Sequence, residues 1–337
     1  MRLRRLSLPL VALALLALAW PADGRDAARA VPAAAAATAM PDRLVLALLE
    51  PERIASVDLH SGRVATLQLM GGTLCRSPLL LVDGRIVFVA PGRHGGRVMS
   101  VDLALRERPH WLATADIVVP SPVPGHLWIA SHAPGPHGHW LVQDLAVRGA
   151  RITRPPRRAP SRPIVGAVSE GLVLQGRGGT FVWDPRTGRR TRATPGPWVL
   201  AAAGSLIASC GGRCGTLLLA DGEHGRVVHA PPGRRFLPAG AALSPVGDLL
   251  AVPLLPYRRP RLALVDTATG ARRLLDGAGL GQRAAIAFSP DGERLFAVDR
   301  FDGVRAFATD GRALGVVSPR LGAPVVQLLA ARTEREP

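Results

Sequence analysis

The chain has 337 residues, 42 of them Lys or Arg and 25 Asp or Glu, for a formal net charge of +17. No lysine occurs, so the basic residues are all arginine, set among 37 glycines and 31 prolines, a composition that a GC-rich coding sequence yields by itself. Nucleic acid is therefore not an expected partner: aromatics make up only 4% and are not interleaved with the arginines as stacking platforms would be.

The first element is MRLRRLS followed by an uncharged apolar run from Leu8 to Trp20. A basic start, a short apolar core and a candidate Ala28-Arg29-Ala30 cleavage site read as a secretory signal over residues 1–30. A membrane span would need about 20 apolar residues. An uncleaved anchor is the alternative, and membrane contact is expected only in that case. Residues 31–42, alanine-rich, read as a tether, and no cysteine lies close enough for a lipid anchor.

Beyond the tether an aspartate closes a short apolar run seven times, at Asp58, Asp102, Asp144, Asp184, Asp221, Asp266 and Asp310. The clearest copies are RIASVDLHSGR, TFVWDPRTGRR and RLALVDTATGAR. Each reads as a hairpin: a strand, an Asp whose carboxylate accepts amides across the turn, a Gly able to take positive φ, and a return strand. A period in the low forties built of short strands predicts an all-β, seven-bladed β-propeller over residues 43–331, with four antiparallel strands, A to D, in each blade. Blade one has only three strands of its own, RLVLALLE, RIASVDL and RVATLQL. Its missing innermost strand is assigned to the far end of the chain, Pro324 to Ala330, so that the ring closes without an open sheet edge. Residues 332–337 are left as a tail.

In blade three, HWLVQDLA and ARITRPP are read as strands C and D, and Arg154, Arg157, Arg158 and Arg162 fall in the Pro-rich D-to-A connection RPPRRAPSRP, on the face that the B-to-C loops share. In blade five, Cys210 and Cys214 enclose only Gly-Gly-Arg and are expected to face each other across a hairpin as a disulfide. Cys75 has no evident partner. In blades six and seven, LSPVGDLLAV and FSPDGERLFAV place Ser-Pro turns between strands A and B. These copies resemble the repeats of Tol-associated bacterial propellers, and RLFAVDRFDGVRAFATDG and RLALVDTATGAR resemble the YVTN class of exported propellers. The resemblance implies the fold and an exported protein, and it is nearly silent on activity, because the motifs are turn chemistry. The Gly-His and Trp-Asp pairings of WD repeats do not recur in series.

Signatures of catalysis are missing: there is no Gly-x-Ser-x-Gly elbow, phosphate loop or sialidase-type box. The A-to-B turn acids Asp83, Glu170, Asp248 and Asp291 are read as structural, and His126 as a strand-start residue. His132, His137 and His139 have the spacing of metal ligands but sit in a Pro- and Gly-rich loop without a carboxylate or thiolate, so a solvated loop is the favoured reading. No cofactor is expected. Arg93, Arg177, Arg258, Arg259 and Arg300 fall in or beside B-to-C loops, where guanidinium groups can grip carboxylates or phosphates bidentately. The expected function is an exported, non-catalytic scaffold for a protein or an anionic envelope ligand. A lactonase-like or hydrolytic propeller enzyme and a subunit of a redox assembly are the alternatives.

Overall fold

A computed structural model describes residues 42–73, 78–93, 95–133, 138–176, 179–194, 196, 198–211, 213–222, 224–237, 240–255, 261–275, 280, 285–299, 303–318 and 321–332. Its strands form seven separate antiparallel sheets arranged as a ring of blades. Blade three holds strand A at Ile117–Pro120, B at His126–Ala133, C at His139–Ala146, and a D strand in two pieces, Arg151–Ile152 and Arg157–Ala159. Blade four follows with Ile164–Val168, Gly171–Gly176, Gly179–Trp183 and Arg190–Thr194.

The polarity of each strand follows its rank from the axis. Strands B and C pack against neighbouring blades on both faces, so RLVLAL (Arg43–Leu48) and RIASVD (Arg53–Asp58) of blade one are buried over continuous runs. The outer strand VATLQ (Val64–Gln68) instead alternates exposed and half-buried positions. The core consequently lies between blades. Trp128 of blade three and Leu172, Leu174 and Trp183 of blade four share one cluster, and burying each such apolar side chain contributes about 1.5–3 kcal/mol.

Ring closure occurs as the sequence requires. Val325–Ala331 pairs antiparallel with Arg43–Leu48, with Leu44 opposite Ala330 and Leu46 opposite Leu328. The Leu49 amide extends the ladder to the Pro324 carbonyl at 3.0 Å.

The three clearest Asp-Gly hairpins share one geometry. Gly62, Gly188 and Gly270 donate their amides to the carbonyls of Asp58, Asp184 and Asp266, each at 2.8 Å, and take φ of 70°, 75° and 75°. The carboxylates cap the same turns: Asp58 Oδ1 accepts the Ser61 amide at 2.9 Å, Asp184 Oδ1 that of Arg186 at 2.8 Å, and Asp266 Oδ1 that of Thr269 at 2.7 Å. At the A-to-B turns the Ser289 hydroxyl donates to Asp291 and that of Ser244 to Asp248. These acids serve the turns, as their sequence context implies.

Strand C of blade three is HWLVQDLA, His139–Ala146, as the sequence reads, so Asp144 lies two residues inside its end. Gly149 follows Asp144 by five positions rather than four, and the intervening Leu-Ala-Val prolongs the apolar pattern. One expectation needs correction: strand D of that blade does not run through the prolines. It breaks over residues 153–156 and resumes at Arg157–Ala159, where Val142 pairs with Arg157 and Leu141 with Arg158. Two consecutive prolines lack the amides the ladder needs, so they are expelled as a bulge.

Candidate functional site

The expected B-to-C surface is only partly visible. Arg93 is exposed in the B-to-C loop of blade two, whereas Arg177, Arg258, Arg259 and Arg300 lie outside the described residues. Of the candidate metal ligands, His132 packs edge-on against Trp140 with ring centroids 5.3 Å apart, and His139 starts strand C opposite Ala133. His137 is outside the described residues, as is Cys75. Among the described residues no three His, Cys, Asp or Glu side chains gather where they would hold a metal ion.

Cys210 and Cys214 are joined, with sulfurs 2.01 Å apart and Cα atoms 5.0 Å apart. They do not face each other as a cross-strand pair: Cys210 is opposite Leu217, and Cys214 sits in the loop with φ of 55°. Both are buried in the cluster shared by blades five and six, and the Cys214 carbonyl accepts the Phe236 amide at 2.8 Å. Their place is structural, away from solvent.

A second arginine surface lies at the outer edge of blade three and the C-to-D turn of blade four. Arg151, Arg154, Arg157 and Arg158 are exposed on the first, and Arg186, Arg189 and Arg190 on or beside the second. The broken D strand produces this surface, because its bulge lifts Arg154 and its second segment returns Arg157 and Arg158 to the sheet edge. The two blades meet there: Arg157 Nη1 lies 3.6 Å from the point that a Cβ on Gly188 would occupy. Arg190 stands over the Phe181 ring, 5.0 Å from its centroid. Among the described residues none of the seven forms an ion pair with a carboxylate. The nearest acid in sequence, Asp184, is engaged by the Arg186 amide and by the Thr187 hydroxyl, each at 2.8 Å.

Inside this surface a small cleft of about 20 Å³, room for about one water molecule, lies between the two blades. Ser121, Trp128, Val142 and Asp144 of blade three form its base, Pro155 and Pro185 its flanks, and Arg154 and Arg186 also line it. Asp144 is 7% exposed. Its Oδ2 accepts hydrogen bonds from Thr153 Oγ1 at 2.5 Å and pairs with His126 Nδ1 at 3.0 Å. Its Oδ1 is buried without a hydrogen-bond partner. Sequence reasoning identified neither the cleft nor the role of Asp144, Thr153 or Arg186. The one signal available was the irregular spacing between Asp144 and the next glycine.

No family model and no curated protein matches the chain. Solved structures match at the level of fold. A functionally unknown protein from Desulfotomaculum acetoxidans aligns with a TM-score of 0.55 and 11% identity over 87% of this chain and 100% of its own. Apo AztD from Citrobacter koseri gives 0.54 and 12% over 86% and 97%. TolB from Acinetobacter baumannii gives 0.48 and 14% over 86% of this chain and 66% of its own. The first two agree with the seven-bladed ring, and at such identities they bear on the fold alone.

Proposed function

We propose that this chain is an exported, non-catalytic propeller that acts as a scaffold at the cell envelope or outside the cell and holds an acidic partner through its arginine surface. The observation that carries the reading is the set of seven exposed arginines across blades three and four, none of which, among the described residues, forms an ion pair with a carboxylate. Unpaired guanidinium groups on a rigid sheet edge are preorganised for carboxylates or phosphates, which they bind through paired N–H donors. Export is supported by the basic and apolar start of the sequence and by a bonded cysteine pair, which persists in oxidising compartments.

The non-catalytic character is supported by the employment of the acids near the B-to-C face. Asp116 accepts the His132 amide at 2.9 Å, and Asp299 accepts the Gly303 amide at 3.1 Å and Arg305 Nε at 3.2 Å. Both act on backbone and turn geometry.

The test compares two quadruple variants. Changing Arg154, Arg157, Arg158 and Arg186 to Gln should weaken retention on an acidic polymer matrix and flatten its salt dependence. Changing Arg63, Arg106, Arg272 and Arg312, which lie on other blades, removes the same formal charge and should do little. Equal losses would refute a located surface.

A further inference from the structure

The glycines of the C-to-D turns differ in what lies against them. Gly62 and Gly270 share one turn geometry, yet among the described residues nothing beyond its chain neighbours stands within 4 Å of the point that a Cβ on Gly62 would occupy. Over Gly270 the corresponding point is 3.2 Å from Cδ of Arg226, which belongs to strand D of the preceding blade, His224–His229. Arg226 Nη1 donates to the Thr269 carbonyl at 3.1 Å. The next boundary repeats the contact. Arg273, from strand D of blade six (Arg272–Leu275), has its Cδ 2.8 Å from the Cβ point of Gly311 and donates Nη1 to the Asp310 carbonyl. In both cases the acceptor is the carbonyl just before the turn glycine, and the missing Cβ makes room for the arginine stem. Arg157 takes the corresponding place between blades three and four, with Nη1 3.6 Å from the Cβ point of Gly188. Among the described residues, however, its side chain makes no hydrogen bond, neither to the Thr187 carbonyl nor to any other group.

We propose that strand-D arginines latch blade five to six and blade six to seven, and that Arg157, seated alike but unlatched, is the residue of the arginine surface that grips an oxyanion of the acidic partner. Arg226 and Arg273 each spend a donor on a backbone carbonyl with the stem pinned over a turn. Arg157 keeps the parallel N–H donors that a two-point grip on a carboxylate or phosphate requires. Gly188 is exposed and has no side chain to obstruct the approach. The role of Arg157 rests on the arginine-surface reading, whereas the two latches stand without it.

The test makes one change, Arg to Met, at each of the three positions of the whole folded protein, which keeps the stem and removes the donors. Arg226→Met and Arg273→Met should each lower the melting midpoint by about 2 °C, the scale of one hydrogen bond in a domain of this size. They should change anion binding by less than about twofold, since screening mutes a distant charge. Arg157→Met should melt with the wild-type protein. In calorimetric titration at fixed salt it should bind poly-glutamate or polyphosphate, whichever the wild-type protein holds more tightly, about fivefold more weakly. Wild-type melts for the Arg226 and Arg273 variants would overturn the latches, and a melt lowered by Arg157→Met would make it a third latch rather than a binding residue. If Arg157→Met binds like the wild-type protein while the Arg154, Arg157, Arg158 and Arg186 variant is weakened, the grip is not at Arg157 and the surface stands. If that quadruple variant also binds like the wild-type protein, the arginine-surface reading itself is overturned.

Discussion

The side-chain amide of Gln327 makes both hydrogen bonds of the Leu79 peptide group, donating Nε2 to its carbonyl at 2.7 Å and accepting its amide on Oε1 at 2.7 Å. Gln327 belongs to the C-terminal strand that completes blade one, and Leu79 immediately precedes the first strand of blade two. The last strand of the chain is therefore fixed on two sides: by the Arg43–Leu48 ladder within its own blade and by this amide across the blade boundary. Gln327→Leu keeps the size but strands two backbone groups. It should lower stability by about 1–3 kcal/mol, read as a lower denaturant midpoint with an unchanged slope. A midpoint equal to that of the wild-type protein would show that solvent replaces the bracket at no cost.

Deleting the residues after Ser318 removes the inner strand of blade one and uncovers the edge of Arg43–Leu48, in which Leu44, Val45, Leu46, Ala47 and Leu48 are all fully buried. A long apolar edge of this kind recruits other chains. The truncated protein should aggregate or lose its cooperative unfolding transition, detected by light scattering during a thermal melt. A melt indistinguishable from that of the full chain would refute closure by the C-terminal strand.

The parts of the fold that could be read from the sequence were those in which each repeat enforces its own geometry. The Asp58, Asp184 and Asp266 hairpins carry their turn chemistry within five residues, and the one-strand deficit at the start matches a surplus strand at the end. Blade three escaped because its D strand departs from the repeat. The prolines at 155 and 156 cannot join a ladder, yet nothing local says that Arg157 rejoins one, since its partner Val142 lies in a different strand. The cleft was illegible for the same reason. It is assembled from Asp144, Arg154 and Arg186, whose proximity depends on the packing of two blades, whereas Asp144 alone looks like one more hairpin aspartate.

The turn aspartates set an acid limit to stability. The Ser61 amide, with Arg43 beside it, holds the Asp58 carboxyl below its ordinary value of 3.8, and the Thr269 amide and hydroxyl do the same for Asp266. Their folded pKa values thus lie below the unfolded ones. This contribution to stability is complete above 3.8 and is lost as pH falls through the lower folded values. Asp58→Asn and Asp266→Asn should therefore melt below the wild-type protein near neutral pH, and the gap should narrow as the pH is taken below 3.8. A gap that stays constant with pH would assign the loss to turn geometry rather than to charge.

Cys210 and Cys214 should be oxidised in protein recovered from outside the cytoplasm, since an oxidising compartment supplies the oxidant and only three residues separate them in the chain. Because both are buried beside Phe236, reduction should proceed slowly in the folded state and quickly in denaturant. Peptide mapping with alkylation before and after reduction reads both. Two thiols alkylated without prior reduction in that protein would argue against the bond.

The two arginine surfaces make opposed predictions. If the B-to-C loops carry the anion site, replacing Arg93, Arg177, Arg258 and Arg259 by Gln should weaken capture of an acidic polymer more than the same change at Arg154, Arg157, Arg158 and Arg186. The surface of blades three and four predicts the reverse order. Both quadruple variants lose the same formal charge, so long-range attraction falls equally, and at physiological ionic strength screening over about 8 Å leaves local contact to decide between them. Retention measured across a salt series separates the terms. The variant that has lost direct contacts should show the shallower slope, since fewer counterions are exchanged on binding. A steeper loss from the B-to-C set would move the binding face to the mouth of the ring and leave blade three's arginines as products of composition. Identical losses and slopes for both sets would mean that net charge alone retains the polymer, with no surface singled out on the propeller.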